Sequence, residues 1–372
     1  MVVKGRARVD RRTKKLIQRL QPYEIAIISH NGIDKLAAQG LIEARCKLVL
    51  NADLSLSPDY PNEGPLMLIK AGIPIIDNLG PEIMSIPEGS EVEVIGDTVY
   101  VNETFVARGE QLDEKKVRAA MEVAKSRLGE VLTSFVDNTL SYARNEIGLV
   151  AQKVPVPPIQ TKLNGKHVLI VVRGFDYKED LRAISSYINE MRPVLVGVDG
   201  GADALLEFGY RPDIVIGDMD SVSDAALREA KEIIVHAYTN GEAPGLKRIK
   251  EMGLSAVTLP LSGTSEDAAM LLAYEKGASL IVAVGTHSNV LDFLEKGRRG
   301  MGSTFLVRLK VGSILVDAKG VSRLYRSRVK GRYLAQVIAA ALLPFAAVAV
   351  ISPPIRQLMR LVIIQFRVLL GL

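Results

Sequence analysis

Residues 194–224 read VLVGVDGGADALLEFGYRPDIVIGDMDSVSD, in which two unbroken apolar runs, VLVGV and IVIG, each stop at a cluster of acids and glycines. Short apolar runs without polar alternation are the mark of strands covered on both faces, as in a parallel sheet between helix layers. The same rhythm runs through 164–322. Strand candidates HVLIVVRG, PVLVGVDG, DIVIGDMD, EIIVHAY, SAVTLPL and SLIVAVGT alternate with helix candidates YKEDLRAISSYINEM, ADALLEFG, DAALREA, PGLKRIKEMG and SEDAAMLLAYEKG. That alternation predicts an α/β fold with an open, doubly wound parallel sheet.

Ligands of such sheets bind beyond the carboxyl ends of the strands. Asp199, Asp218 and Asp220 follow strand candidates directly, so all three project from that edge. Carboxylates this close repel one another, and a divalent cation removes the conflict. Hard oxygen ligands with room for water and phosphate describe Mg2+. Gly200 and Gly201 let backbone N–H groups approach phosphates, and GTSEDAAML places Thr264 and Ser265 at another helix start with Asp267 in its first turn. The expectation is a Mg2+ and ATP (or other nucleoside triphosphate) site. Asp218 and Asp220 carry catalysis there, Asp199, Asp218 and Asp220 hold the metal, and Asp199, Gly200, Gly201, Ser221, Thr264, Ser265 and Asp267 hold the nucleotide. The competing reading makes these ordinary loop residues, with Asp203 and Ser265 as helix caps. Arg173 and Lys247 or Arg248 could reach the phosphates, with ordinary solvated surface the favoured reading of each.

The 372 residues include a single cysteine, Cys46, and four histidines, which excludes an internal disulfide framework and disfavours a Cys/His zinc site. The net charge of +5 is uneven. The first nineteen residues carry eight Lys/Arg against Asp10, the chain from Val321 onward carries eight and no acid, and the body between is acidic. Basic ends suit an anionic partner, here a membrane rather than nucleic acid. Leu334–Ile351, LAQVIAAALLPFAAVAVI, follows the basic flank RLYRSRVKGR. It predicts a C-terminal transmembrane helix at 334–351 in the cytoplasmic (inner) membrane, single-pass, with the bulk of the chain in the cytoplasm and an arginine-bearing interfacial tail. A buried helix interrupted at Pro344 is the alternative.

The remaining organisation is a basic arm at 1–21, a small α/β domain at 22–110, a long helix at 111–152, a Pro-rich linker at 153–163, the α/β domain at 164–322, and the flank, helix and tail at 323–372. The long helix carries a stripe of Val117, Met121, Ala124, Leu128, Val131, Phe135, Thr139, Tyr142 and Ile147. Such a stripe packs either on the neighbouring domain or, as a homodimer through 112–150, on its own copy.

Several resemblances add to this reading. VDGGAD, PDIVIGDMDSV and SEDAAMLLAYEKGASLIVAVG resemble the catalytic domain of thiamine pyrophosphokinases. The resemblance implies pyrophosphate transfer from ATP to thiamine, with Asp199, Asp218, Asp220 and Asp267 handling metal and triphosphate and Ser221 beside them. The chain departs from that family where its Lys-Thr-Asp is Ser265-Glu266-Asp267 and where its GRxDHxLAN stretch is GTHSNVLDFL. The family's β-rich domain is reduced, so the acceptor pocket is rebuilt. ISHNGIDKLAAQGL and the IPEGSEVEVIGDTVYV region resemble the swivelling domain of phosphoenolpyruvate-utilising enzymes, which places His30 at a phosphorylated-histidine position; an ordinary strand-end histidine is the other reading. The whole layout resembles the SteA family of bacterial cytokinetic-ring proteins. That implies a role in cell division or envelope remodelling with a coiled-coil membrane partner. An active thiamine diphosphokinase is the alternative. DMDSV also fits the DxDx[TV] loop of haloacid dehalogenase phosphatases, with Asp218 as nucleophile and Asp220 as acid/base, but no later GDxxxD motif partners it.

Overall fold

The computed structural model describes residues 2–287, 289–324, 331–355, 357, 360, 361, 364 and 365. It divides into two units, Met1–Val321 and Ser322–Leu372.

The first unit holds two sheets. The chain enters through β1 (Val2–Asp10), α1 (Thr13–Arg19), β2 (Ile25–Ile28), α2 (Lys35–Glu43), β3 (Leu48–Asn51), α3 (Gly64–Lys70) and β4 (Ile75–Asp77). It then adds β5 (Glu91–Ile95), β6 (Thr98–Val101), β7 (Thr104–Arg108) and β8 (Glu110–Leu112). The sheet order is β7-β6-β5-β1-β2-β3-β4-β8, with β1 to β4 parallel and the flanking strands antiparallel. All four residues of β2 and of β3 are buried, as their unbroken IAII and LVLN runs require. The Asp34 side chain caps α2 by accepting from the Ala37 N–H at 2.6 Å.

After α4 (Glu114–Asn145) and α5 (Gly148–Ala151), the second sheet is built from β9 (His167–Val171), α6 (Tyr177–Ala183), α7 (Ser185–Met191), β10 (Val194–Val198), α8 (Gly201–Glu207), β11 (Ile214–Gly217), α9 (Asp224–Glu229), β12 (Glu232–Ala237), α10 (Gly245–Glu251), β13 (Val257–Pro260), α11 (Ser265–Glu275), β14 (Leu280–Val284), α12 (Val290–Glu295), α13 (Gly302–Val311) and β15 (Leu315–Asp317). Its order is β13-β12-β11-β10-β9-β14-β15, every pair parallel. Alternate residues of β9 feed opposite cores: Val168 and Ile170 join α11 and α13, while Leu169 and Val171 join α6 and α8. The strand order reverses at β9, because the chain winds outward through β10 to β13 and then returns to place β14 on the other side. That reversal is a topological switch point.

The 32-residue α4 starts at Asp113, whose side chain accepts from the Lys116 N–H at 2.7 Å. Val117 belongs to the core of the first sheet. Farther along, the Thr139 hydroxyl accepts from the Met301 N–H at 3.0 Å, and a Cβ on Gly302 would come within 2.6 Å of Tyr142 Cβ. The buried part of the stripe, Val117, Ala124, Phe135, Thr139 and Ala143, is therefore covered by this chain's own helices, whereas Val123, Val136 and Leu140 are exposed. The Pro-rich segment is tied down as well: Val154 and Leu163 sit in the second sheet's core, and Val154 N donates to Glu275 Oε1 at 3.0 Å.

In the second unit, which takes in all but the first residue of α14 (Val321–Leu324), α15 spans Gly331–Ile351 with Pro344 inside it. Among the described residues no helix is long and apolar enough to cross a membrane. The transmembrane helix expected at 334–351, and the single-pass membrane location built on it, are corrected by this finding. The physical reason lies in the residues: the run leans on alanine, which is only mildly apolar, and contains Gln336 and Pro344, while Arg332 sits in its first turn. The basic flank at 325–330 and most of the tail beyond 355 fall outside the described residues.

Candidate functional site

Both sheets turn carboxyl ends toward one cleft of about 840 Å³. The second sheet lines it with Arg173 after β9, Asp199 and Gly200 after β10, and Asp218 after β11. Across from them stand Thr13 and Lys14 of α1 and His30 after β2. The N-terminus of α11 adds Thr264, Ser265 and Glu266, because that helix crosses back over the sheet from the edge strand β13 toward β14. An α-helix N-terminus presents unpaired N–H groups and a partial positive charge, which favours an anion in the cleft.

Asp199 sits in the left-handed region at φ 47°, a conformation that Asp tolerates better than most residues. Its neighbour Gly217 makes room for it, since a Cβ there would lie 1.8 Å from Asp199 Oδ1. That Oδ1 is buried and has no hydrogen-bond partner. Burial, and next the charge of Asp218, push the Asp199 carboxyl up to about 7, against hydrogen bonds from the Met219 N–H and the Ser265 hydroxyl. Met219, between the two aspartates of the next loop, is held at φ 67°, strained for a side chain of its size. Arg248 holds that strained loop by donating to the Met219 and Val222 carbonyls and to Asp224. It is therefore a scaffold of the GDMDS loop.

The expected acids separate in space. Asp199 and Asp218 stand together in the cleft. Asp220 donates its N–H to Asp218 Oδ1 at 2.9 Å and turns its own carboxylate to Arg12, 3.2 Å away, in a smaller crevice of about 380 Å³. Ser221 accepts from Lys14 Nζ at 2.9 Å. Among the described residues no group of three or more His, Cys, Asp or Glu side chains is gathered so as to hold a metal ion. A two-carboxylate site with an orphaned buried oxygen still fits Mg2+ arriving with a polyphosphate, because Mg2+ takes one or two carboxylates and completes its shell with phosphate oxygens and water.

Asp267 is placed otherwise than expected. It is 1% exposed and closes a capping box, its Oδ2 accepting from Thr264 N at 3.0 Å, Ser303 Oγ at 3.0 Å and Thr304 Oγ1 at 2.9 Å. Its Oδ1 is also unpartnered, but it is enclosed by protein and does not line the cleft. Asp267 builds the end of α11 and lies outside the lining of the cleft. Gly201 likewise serves packing: a Cβ on it would lie 1.9 Å from the Val171 carbonyl oxygen, and it does not line the cleft. Gly200 does, 3.3 Å from Arg173 Cδ at its Cβ position.

Sequence reasoning left other wall residues out. Arg173, read as solvated surface, lies in the cleft wall and pairs with Glu207 at 3.0 Å. Glu266, His287 and Lys296 form a cluster at the β14 end. A signal was available, since every loop after a parallel strand converges on the same edge and GTH follows β14 directly. His30 shares its Nδ1 with Thr13 Oγ1 at 2.9 Å, a contact between segments whose meeting no local motif announces.

Comparison with known proteins gives partial matches. Residues 319–370 match the family model of the SteA-like C-terminal domain. A 6-hydroxymethyl-7,8-dihydropterin pyrophosphokinase from Methanocaldococcus jannaschii is 27% identical over 155 residues, which covers 36% of this chain and 64% of that relative, so the chain spans a little under two thirds of its length. Among solved structures, a thiamine pyrophosphokinase from Bacillus subtilis matches with 23% identity over 41% of this chain and 59% of its own, at a TM-score of 0.27. A Lactobacillus plantarum protein matches with 21% identity over 36% and 53%, at a TM-score of 0.21. The chain thus carries a SteA-like C-terminal domain together with pyrophosphokinase-like sequence.

Proposed function

We propose that the cleft binds a nucleoside triphosphate with Mg2+ and transfers its terminal pyrophosphate to an alcohol acceptor. The observation that carries this reading is the buried, unpartnered Oδ1 of Asp199 beside Asp218, under the N-terminus of α11 and across the cleft from Lys14. An acid held up to about 7 by its surroundings gains by meeting a cation. When bound, the metal would supply charge neutralisation for the phosphates. The chain's own contribution is positioning: Arg173 and Lys14 flank the anion from two sides, Gly200 allows close backbone approach, and the α11 N–H groups face the same space. The acceptors to try are thiamine and 6-hydroxymethyl-7,8-dihydropterin, the two compounds acted on by the proteins this chain resembles. The SteA-like C-terminal domain supports a place for this activity, or for nucleotide binding alone, in bacterial cell division or envelope remodelling, with a coiled-coil partner.

The test is thermal unfolding of the full chain with Mg2+ and ATP together, each alone, and both with EDTA. Ligand that binds only the folded state raises Tm, by about 2.7 kcal/mol of stability at a hundredfold excess over Kd. The expected result is a rise that needs both components. No rise with both present would sink the reading, and AMP release with either acceptor would establish transfer as well as binding.

A further inference from the structure

The β14 end of the cleft holds a constellation that polyphosphate binding leaves unused. Glu266, in the first turn of α11, and His287, just past β14, are hydrogen-bonded through Glu266 Oε1 and His287 Nδ1. The His287 backbone N–H also donates to Glu266 Oε2 at 3.1 Å. Both side chains are 12% exposed, and both line the cleft. Lys296 Nζ lies 3.3 Å from the same ring nitrogen. Burial pushes the Glu266 carboxyl up, but the hydrogen bond and charge of His287 and the charge of Lys296 outweigh it and hold the carboxyl below its ordinary range. An ionised carboxylate only accepts, so Nδ1 is the donor of this hydrogen bond, and Nε2 is the ring nitrogen left to take up or release a proton. The pair is adjacent to the phosphate side by construction: the Ser265 hydroxyl bonds Asp199, and the next residue is Glu266.

We propose that His287 is the general base of the transfer, taking the proton of the attacking hydroxyl on Nε2, with Glu266 as the positioning residue that fixes the ring and its tautomer. The inference deepens the pyrophosphate-transfer reading and rests on it. The acceptor oxygen bonds to the β-phosphorus, and the bond from that phosphorus to the oxygen bridging it to the α-phosphorus breaks. The bridging oxygen leaves with the electron pair as part of the nucleoside monophosphate, and the acceptor proton passes to Nε2 and then to solvent. The products are a nucleoside monophosphate, an alkyl diphosphate and one proton. Lys296 brings a cation to the wall where this charge moves.

The experiment uses the full chain with Mg2+, ATP and each of the two acceptors, with AMP release as readout. A general base contributes on the order of 100-fold or more, so His287→Gln is expected to lower AMP release by at least that factor while keeping the MgATP-induced rise in Tm. Glu266→Gln is expected to fall about tenfold and, in protein labelled with 15N-histidine, to mix the His287 tautomers that the wild type holds as Nδ1–H. With four histidines in the chain, single variants assign the spectrum. Release by His287→Gln within threefold of wild type overturns the base assignment and leaves the transfer reading standing. Wild type that binds MgATP and releases no AMP overturns both. An Nε2–H tautomer at His287 in the wild type overturns the proposal without any turnover measurement, and this arm holds even if the Glu266 variant fails to fold.

Discussion

Two edges of parallel strands meet across one cleft, and each ends in an acid with a buried oxygen, yet only one of them is left chemically open. At the first sheet, Asp77 closes β4 by accepting from Ser55 N at 2.8 and 3.0 Å and from Ser55 Oγ at 2.6 Å, and Ser55 Oγ in turn accepts from Asn51 Nδ2 at 2.8 Å. At the second, Asp199 Oδ1 has no partner and the charge that acts on the group most is that of another carboxylate, Asp218. Burial is the largest influence on both groups and pushes both up. They part at the next influence, which is a stabilising hydrogen bond for Asp77 and a repelling carboxylate for Asp199. An acid at a strand end is thus not a site by virtue of its position. It becomes a candidate when the fold leaves one of its oxygens unsatisfied on a residue that lines the cleft, as at Asp199.

The comparison breaks most visibly under ligand. Replacing both Asp199 and Asp218 by Asn should abolish the Tm rise given by MgATP, a loss of about 100-fold or more in apparent affinity, while Asp77→Asn should keep the rise on a less stable background. If the double variant responds like wild type in a thermal scan, the open edge has been assigned to the wrong acids. Stability gives the mirror image. Asp77→Ala strips the acceptor from the Ser55 N–H and hydroxyl, both fully buried. At roughly 1–3 kcal/mol for each stranded donor, a loss of about 3 kcal/mol in denaturant unfolding is expected, with the MgATP response intact.

How far this contrast was legible in the sequence follows from the same residues. The strands of the second sheet were legible because VLVGV and IVIG admit no amphipathic reading, and Asp199 and Asp218 were legible because both follow those strands directly. The roles of Asp220 and Asp267 were not. Asp220 is drawn to Arg12, 208 residues away along the chain, and Asp267 to Ser303 and Thr304. Long-range partners decide such side chains, and spacing within a motif carries no trace of them. Membrane crossing was over-read for a related reason: counting polar residues in 334–351 treats alanine like leucine, whereas crossing depends on summed transfer free energy.

Protonation sharpens the contrast. The folded chain holds the Asp199 proton more tightly than the unfolded chain does, because its carboxyl is raised from 3.8 to about 7. The group therefore contributes stability that is fully present below about pH 4 and is lost as the pH rises through 7. The size is about 4 kcal/mol at about 1.4 kcal/mol per unit. Glu295, pushed to about 7 by burial and then by the charge of Asp34, acts in the same window and the same direction. Urea unfolding from pH 4 to 8 should show stability falling with pH, with Asp199→Asn and Glu295→Gln each removing part of the slope. Asp199→Asn should be more stable than wild type at pH 8 without ligand, the reverse of its effect on MgATP binding. A slope unchanged in Asp199→Asn would mean that the carboxyl is better solvated than its surroundings indicate.

The smallest effect concerns the arm that joins the two edges. Arg12 pairs with Asp220 at 3.2 Å and Lys14 with Ser221 at 2.9 Å, and in the ion pair both side chains are more than half exposed. Exposed pairs contribute about 0–1 kcal/mol, so the double variant Arg12→Ala, Lys14→Ala should change urea stability by less than about 1 kcal/mol. If the unsatisfied acids of the second sheet are the binding determinant, this variant keeps the MgATP-induced rise in Tm, reduced by no more than the loss of two flanking cations implies and least of all at high salt, where such contacts are screened. Complete loss of the rise would move the determinant onto the first sheet's edge and dissolve the distinction between a closed edge and an open one, because the closed side would then be supplying the ligand contacts that matter.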